Sequence, residues 1–209
     1  MIRSTHQDEG RAVPDARTPR SGPLTRTLLV DTALAILARA GLPDLTMRAI
    51  GTELGVRQSA LYHHVDNKQA LLGAVADEIL SRGPRGPAGT GDDWRRRARH
   101  RCADLHAAVT AYPDGADLVM SMWAFGMGAQ APFVELRDLL VEAGLSDEVA
   151  PTAARTLLHF VYGHAYDEQS HEHAARSGIT PGERASTDFD TGLDIVLTGI
   201  STLPGLAGG

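Results

Sequence analysis

Between Leu45 and Lys68 the sequence LTMRAIGTELGVRQSALYHHVDNK leaves the backbone few alternatives. Thr46 suits a helix N-cap, because its hydroxyl can accept from the orphan amides of the first turn, and Met47 to Leu54 then run on without proline. Leu45, just before the cap, and Ile50, at the fourth helical position, can close as a hydrophobic staple that sets the entry angle of the chain. Gly55 permits the left-handed conformation that ends this helix. Val56, Leu61 and Val65 form the apolar side of a second short helix, and Arg57, Gln58, Ser59, Tyr62 and His63 occupy its other side. Two short helices around a glycine turn, the second carrying donors and acceptors near its N-terminus, have the form that enters a DNA major groove. Arg, Gln and Ser can bond base edges there, and Tyr and His can reach phosphate or a thymine methyl.

The flanking segments support this pair. From Thr25 onward, Val30, Ala33, Leu34 and Leu37 recur at helical spacing and predict a helix ending near Gly41. Asn67 is placed to cap a further helix from Lys68 to about Arg82, with Leu71, Leu72, Val75 and Ile79 turned inward. Lys68, in the first turn, can reach phosphate together with the amides there. Residues 1–23 mix arginines with Pro14, Pro19, Gly22 and Pro23 and keep no apolar periodicity, which predicts a flexible arm, either solvated or laid into an adjacent minor groove. The run GPRGPAGTG at residues 83–91 breaks any helix and separates residues 24–82 from residues 92–209.

In the second half, Asp92 and Asp93 suit the start of a helix from Trp94 to about Ala111. Its Arg95, Arg96, Arg97, Arg99 and Arg101 wrap around the axis, so most must be solvated, paired with acids or near the first half. Tyr112-Pro113-Asp114-Gly115 is a turn. Helices are expected from there to about Phe125, from Phe133 to Ala143, from a Ser146 cap to about His173, and from Phe189 to Leu203, with a polar loop over 176–188. No period-2 strand pattern occurs. The expected fold is all-α: an N-terminal helix-turn-helix DNA-binding domain of three helices, and a larger C-terminal helical domain for ligand binding and dimerisation.

The pattern L-T-x-R-x-I-x-x-x-L-G-V-x-x-x-x-L-Y-x-H-V-x-N-K-x-x-L-L resembles the DNA-binding domain of the TetR family of bacterial transcriptional repressors, over about Leu28 to Leu80. Three further pieces resemble the tetracycline repressor branch: Tyr112 to Ala116, HFVYGHAYDEQSH from His159 to His171, and FDTGLDIVLTGI from Phe189 to Ile200. The resemblance implies a homodimer, with the last two helices paired against their copies as a four-helix bundle, and a small molecule that shifts the spacing of the two recognition helices. It also supports the phosphate role of Lys68. The DNA surface is accordingly expected at Thr46, Arg48, Arg57, Gln58, Ser59, Tyr62, His63 and Lys68. The dimer interface is expected at Phe160, Phe189, Leu193, Val196, Leu197 and Ile200, since nothing after the last helix could cover that apolar stripe except a two-fold copy.

Composition narrows the alternatives. With 209 residues and 43% apolar content the chain can bury a substantial core. The net charge of -6 hides an asymmetry: residues 1–101 carry 16 Arg and Lys against 11 Asp and Glu, whereas residues 102–209 carry 4 against 15. One half can meet DNA and the other would avoid it. No apolar run approaches the roughly 18 residues of a membrane span and no signal segment follows Met1, so a cytoplasmic protein without membrane contact is expected; the single Cys102 fits a reducing compartment. No G-x-S-x-G, H-E-x-x-H or phosphate-binding glycine loop occurs, and an enzyme is not expected.

Met120, Met122, Trp123, Phe125, Met127, Phe133 and Phe160 offer adaptable apolar lining for an effector, with His64, His106 and His164 as polar handles. His64 matches a drug-contacting histidine of the tetracycline branch, but Val119 stands where that branch carries the histidine that binds drug-borne magnesium. His159, His164, Asp167, Glu168 and His171 have ligand-like spacing on one helix, yet a polar pocket rim or dimer seam explains the same residues, and neither metal nor cofactor is expected. The expected function is a repressor that binds a palindromic operator as a homodimer and is released by a small hydrophobic molecule. The alternative is a constitutive DNA-binding protein.

Overall fold

The computed structural model describes residues 23–85, 93–179 and 188–206. The arm expected over 1–23 lies outside these residues except for Pro23, as does the linker from residue 86, together with residues 180–187 of the polar loop. Regular structure among the described residues is helical throughout, in the order α1 (Arg26–Ala40), α2 (Met47–Leu54), α3 (Gln58–Leu61), α4 (Lys68–Arg82), α5 (Trp94–Thr110), α6 (Gly115–Ala124), α7 (Ala131–Glu142), α8 (Ala150–Arg176) and α9 (Phe189–Ser201). None of these helices is long and apolar enough to cross a membrane.

Local chemistry accounts for the starts. Thr25 accepts from the Leu28 amide at 3.1 Å, Asn67 from the Ala70 amide at 2.8 Å and Asp93 from the Arg96 amide at 3.2 Å, each quenching one orphan donor. The start of α8 differs from expectation. Ser146 uses its backbone carbonyl, accepting from the Val149 and Ala150 amides at 3.0 and 2.9 Å in a preceding turn, so the helix begins at Ala150. Pro151 then sits in the first turn, where no N–H partner is needed. The helix runs on to Arg176, three residues past the expected end.

One buried cluster runs through both halves. Leu29, Leu37, Ile50, Leu61, Val75 and Ile79 close α1 to α4, and Leu105, Leu118, Leu136, Leu157, Val161 and Tyr162 close α5 to α8. At about 1.5 to 3 kcal/mol for each large apolar side chain removed from water, this burial dominates the stability of the bundle. Cys102 is part of the second group; burial pushes its thiol up to about 12, so it is a packing residue rather than a nucleophile.

Leu193, Leu197 and Ile200, expected on a dimer interface, are all buried within the protomer, because α9 packs on α8 and α5. The surface that α9 leaves open carries Ile195, which is 69% exposed, with Thr198 and Gly199. The arginines of α5 are mostly engaged within the second half. Arg97 pairs with Glu142 at 2.7 Å, Arg101 with Glu135 at 2.5 Å, Arg99 with Asp194, and Arg95 donates to the Thr198 hydroxyl at 2.9 Å. They pin α7 and α9 to α5.

Candidate nucleic-acid interface

The reading element is built as the sequence predicts but is shorter. Thr46 accepts from the Ala49 amide at 3.0 Å, which commits its hydroxyl to capping α2. Gly55 adopts φ 69°, and the Val56 amide donates to the Gly51 carbonyl at 2.9 Å, closing the turn. Gly51 is buried, and a Cβ there would press on the Val56 carbonyl, so the two helices meet across bare backbone. The second helix holds only residues Gln58–Leu61; Tyr62 and His63 lie in the turn after it, where the His64 and Val65 amides donate back to the Leu61 carbonyl. Leu61 and Val65 anchor this turn in the core, and Arg57, Gln58, Ser59, Tyr62 and His63 are exposed together on the outer side. The Gln58 side-chain amide donates to the Tyr62 hydroxyl at 3.3 Å, holding two of these side chains in one arrangement. Arg48 is exposed on α2, and half-buried Lys68 opens α4 behind the Asn67 cap.

Behind this surface the two halves are joined by reciprocal hydrogen bonds. Asp114, from the turn before α6, accepts from the Leu42 amide at 2.8 Å, and Gly41 makes room for it: a Cβ there would stand 2.6 Å from the carboxylate oxygen. Asp77, on α4, accepts from the Ala129 amide at 2.7 Å in the connection between α6 and α7. Beside it Gly73 packs directly on the Met127 carbonyl and Gly128, so that any side chain at Gly73 would overlap backbone. Asp114 and Ala129 are the only non-glycine residues with positive φ among those described, at 57° and 58°. Gln169 of α8 fixes the first contact from below, accepting from the Ala116 amide at 3.1 Å and donating to the Tyr112 carbonyl at 2.7 Å.

The expected effector residues fall into two groups rather than one. His106, His164 and Phe160 meet at the junction of α5, α8 and α9 with Phe189, the His106 ring lying 4.3 Å from the Phe189 ring and 5.3 Å from that of His164. Burial holds the His106 imidazole below its ordinary pKa, against the raising influence of Glu168. Trp123 lies edge-on to His159 and Tyr162, and Phe133 lies under the Arg155 guanidinium. Met120 is half-buried on α6, whereas Phe125, 69% exposed, and Met127 project from its end into solvent. His64 is half-buried in the turn between α3 and α4, away from both groups along the chain.

Residues 29–75 match the bacterial regulatory proteins of the tetR family, and residues 86–185 match the tetracyclin repressor-like C-terminal domain. The class C tetracycline repressor of Escherichia coli is 31% identical over 186 residues, spanning 87% of this chain and 77% of that protein. The chain belongs to the TetR family. Among solved TetR-family structures, BioQ of Mycobacterium smegmatis is 35% identical with a TM-score of 0.78, covering 90% of this chain and all of that one. BioQ bound to its natural double-stranded DNA operator is 34% identical with a TM-score of 0.74, covering 87% and 100%. ActR of Streptomyces coelicolor in complex with (S)-DNPA is 27% identical with a TM-score of 0.70, covering 90% and 99%. The chain is therefore a transcriptional regulator with a helix-turn-helix, and TetR-family members are not enzymes.

Sequence reasoning finds the helix-turn-helix but not the junction. The Asp114 turn is readable as a turn, but its partner Leu42 is 72 residues away, and Asp77 and Ala129 are 52 apart; no local pattern marks such pairs. The junction generates a stability prediction. Asp114→Ala removes the acceptor of the Leu42 amide, at about 1 to 3 kcal/mol, and places alanine in the left-handed region, at a further 1 kcal/mol or so. Asp114→Asn keeps both an acceptor oxygen and tolerance of positive φ, and should lose less than half as much. Urea unfolding midpoints of the two variants measure the difference; equal midpoints would show that the carboxylate bears no such role.

Proposed function

We propose that this TetR-family chain is a ligand-responsive repressor that binds a palindromic operator as a homodimer and releases it when a small hydrophobic molecule enters the second half. The observation that carries this reading is the exposed set Arg57, Gln58, Ser59, Tyr62 and His63, mounted on the α2–α3 pair in a domain whose α4 is bonded to the second half. A relative solved with its operator supports the DNA partner, and one solved with (S)-DNPA supports a small-molecule partner. In this reading Arg57, Gln58 and Ser59 read base edges, Tyr62 and His63 touch the backbone or a thymine methyl, and Thr46, Arg48 and Lys68 lie against phosphate. The basic balance of residues 1–101 favours that contact and the acidic balance of 102–209 keeps the rest of the molecule clear of it.

Pairing of two chains would use the faces of α8 and α9 that remain open. Added Cβ atoms at Gly163 and Gly199 would meet nothing within 4 Å, and Ile195 stands out between exposed polar residues, so two bundles could approach closely there. A two-fold pair would set its recognition elements on one DNA face, about 34 to 36 Å apart or a multiple of that. For the effector, Met120, Trp123 and Phe133 offer one apolar patch and Phe160, His106 and His164 another, with His64 beside α4. A molecule that prefers the DNA-incompetent arrangement by roughly 5.5 kcal/mol would move the population from nearly all bound to nearly all free.

Three outcomes follow from this reading. In fluorescence titrations against operator and random duplexes, Lys68→Ala should weaken both alike and lower the log–log salt slope by about one, whereas Gln58→Ala should lose about 1 to 3 kcal/mol on the operator only and relax specificity at one position. Sedimentation of Ile195→Glu should give folded monomers, while Leu193→Glu should unfold the chain; a dimer surviving Ile195→Glu places the interface elsewhere. Screening hydrophobic antibiotics and metabolites for operator release tests regulation, and if none releases DNA the constitutive reading takes its place.

A further inference from the structure

His106 on α5 and His164 and Glu168 on α8 come together at one end of the α5–α8 contact, and one ligand-competent atom from each lies within 4.8 Å of the other two. His164 and Glu168 are one helical turn apart, so both side chains leave α8 on the same side. The third member comes from another helix 58 positions earlier in the chain. Nε2 of His106, buried at this contact, is 3.1 Å from Oε2 of Glu168, so an imidazole nitrogen and a carboxylate oxygen from two helices are already held side by side. Donor atoms held at 2.0 to 2.2 Å from a tetrahedral ion are about 3.3 to 3.6 Å apart, slightly more than this separation.

We propose that His106, His164 and Glu168 form a binding site for a divalent transition ion of the zinc type, with two imidazole nitrogens and one carboxylate oxygen as protein ligands and a fourth position left open. The surroundings suit that chemistry. Phe189 packs on the His106 ring and Phe160 on Phe189 and His164, giving an apolar wall on one side that limits exchange with water. An open cleft of about 550 Å³, lined by His164 and Phe160 together with Asp167, Asp188 and Thr191, provides an entry path and space for water or an exogenous ligand at the fourth position. Two imidazoles and a carboxylate favour zinc, cobalt or nickel over magnesium or calcium, which take oxygen ligands. This site is distinct from the magnesium position of the tetracycline branch, where Val119 stands, and it does not depend on the operator reading. It also revises the expectation that no metal binds, which weighed only the residues of one helix.

The test uses the full-length protein, stripped with a chelator and titrated with Co²⁺ and with Zn²⁺ alone. The expected result is one ion per chain, the visible absorption of a low-symmetry cobalt–imidazole site, and its loss when Zn²⁺ is added. Glu168→Gln and His106→Gln should each weaken binding by about 100-fold or more, beyond what loss of a supporting outer partner alone produces. His171→Gln, on the same helix but outside the triad, should stay within about twofold of the parent by the same measure. Glu168 is solvent-exposed, so its variant should keep the parent's circular dichroism and test the site without a folding question. No saturable binding, or binding retained in either triad variant, overturns the proposal.

Discussion

Two carboxylates hold the halves of this molecule to each other, and each half supplies one. Asp114 of the second half takes the Leu42 amide of the first, and Asp77 of the first takes the Ala129 amide of the second. Both amides belong to irregular segments that have no helical partner for them, so each carboxylate satisfies a donor that would otherwise be left partly buried and unmet. The orientation of the reading surface follows from this pair. α1 is held at its end by the Leu42 contact and α4 along its length by the Gly73 and Asp77 contacts, while α2 packs on α1 and α3 on α2.

The backbone strain in the described residues is concentrated at the same two places. Asp114 and Ala129 occupy the left-handed region, which disfavours a side chain, and they stand at the two carboxylate–amide bonds. Such residues persist only where surrounding contacts over-determine them. Around Asp114 these are the Gln169 clamp, the glycine at 41 and the glycine at 115, where a side chain would overlap the Val109 carbonyl. Around Ala129 they are the Asp77 bond and the bare-backbone approach of Gly73 to Met127 and Gly128. At Gly73, α4 thus meets the α6–α7 connection backbone to backbone, with the Asp77 side-chain bond beside that approach.

Local chemistry was legible and pairing across distance was not. The caps at Thr46 and Asn67, the acidic helix start at Asp93 and the turn glycine at 55 are short-range signals, and the structure uses each of them. The stripe on α9 was legible as a buried face, but periodicity does not say against what, and α8 and α5 of the same protomer claim Leu193, Leu197 and Ile200. The five arginines of α5 could be read as solvated, paired with acids or near the first half; that most pair within the second half, and with which acids, depends on how α7 and α9 lie across the helix. The polar face from His159 to His171 could be read on one helix; that His106 would stand beside His164 and Glu168 could not. Apolar content alone also failed to sort pocket from surface, since Phe125 and Met127 share the composition of Met122 yet face solvent at the end of α6.

Amide hydrogen exchange on the intact, unliganded protein tests the two-point junction most directly. If the bonds to Asp114 and Asp77 set the position of the reading surface, the Leu42 and Ala129 amides, although in irregular segments, should be protected to the level of the buried amides at the centre of α4 and open only with them. Exchange of either amide at the rate of an exposed loop, with α4 itself still protected, would contradict the account.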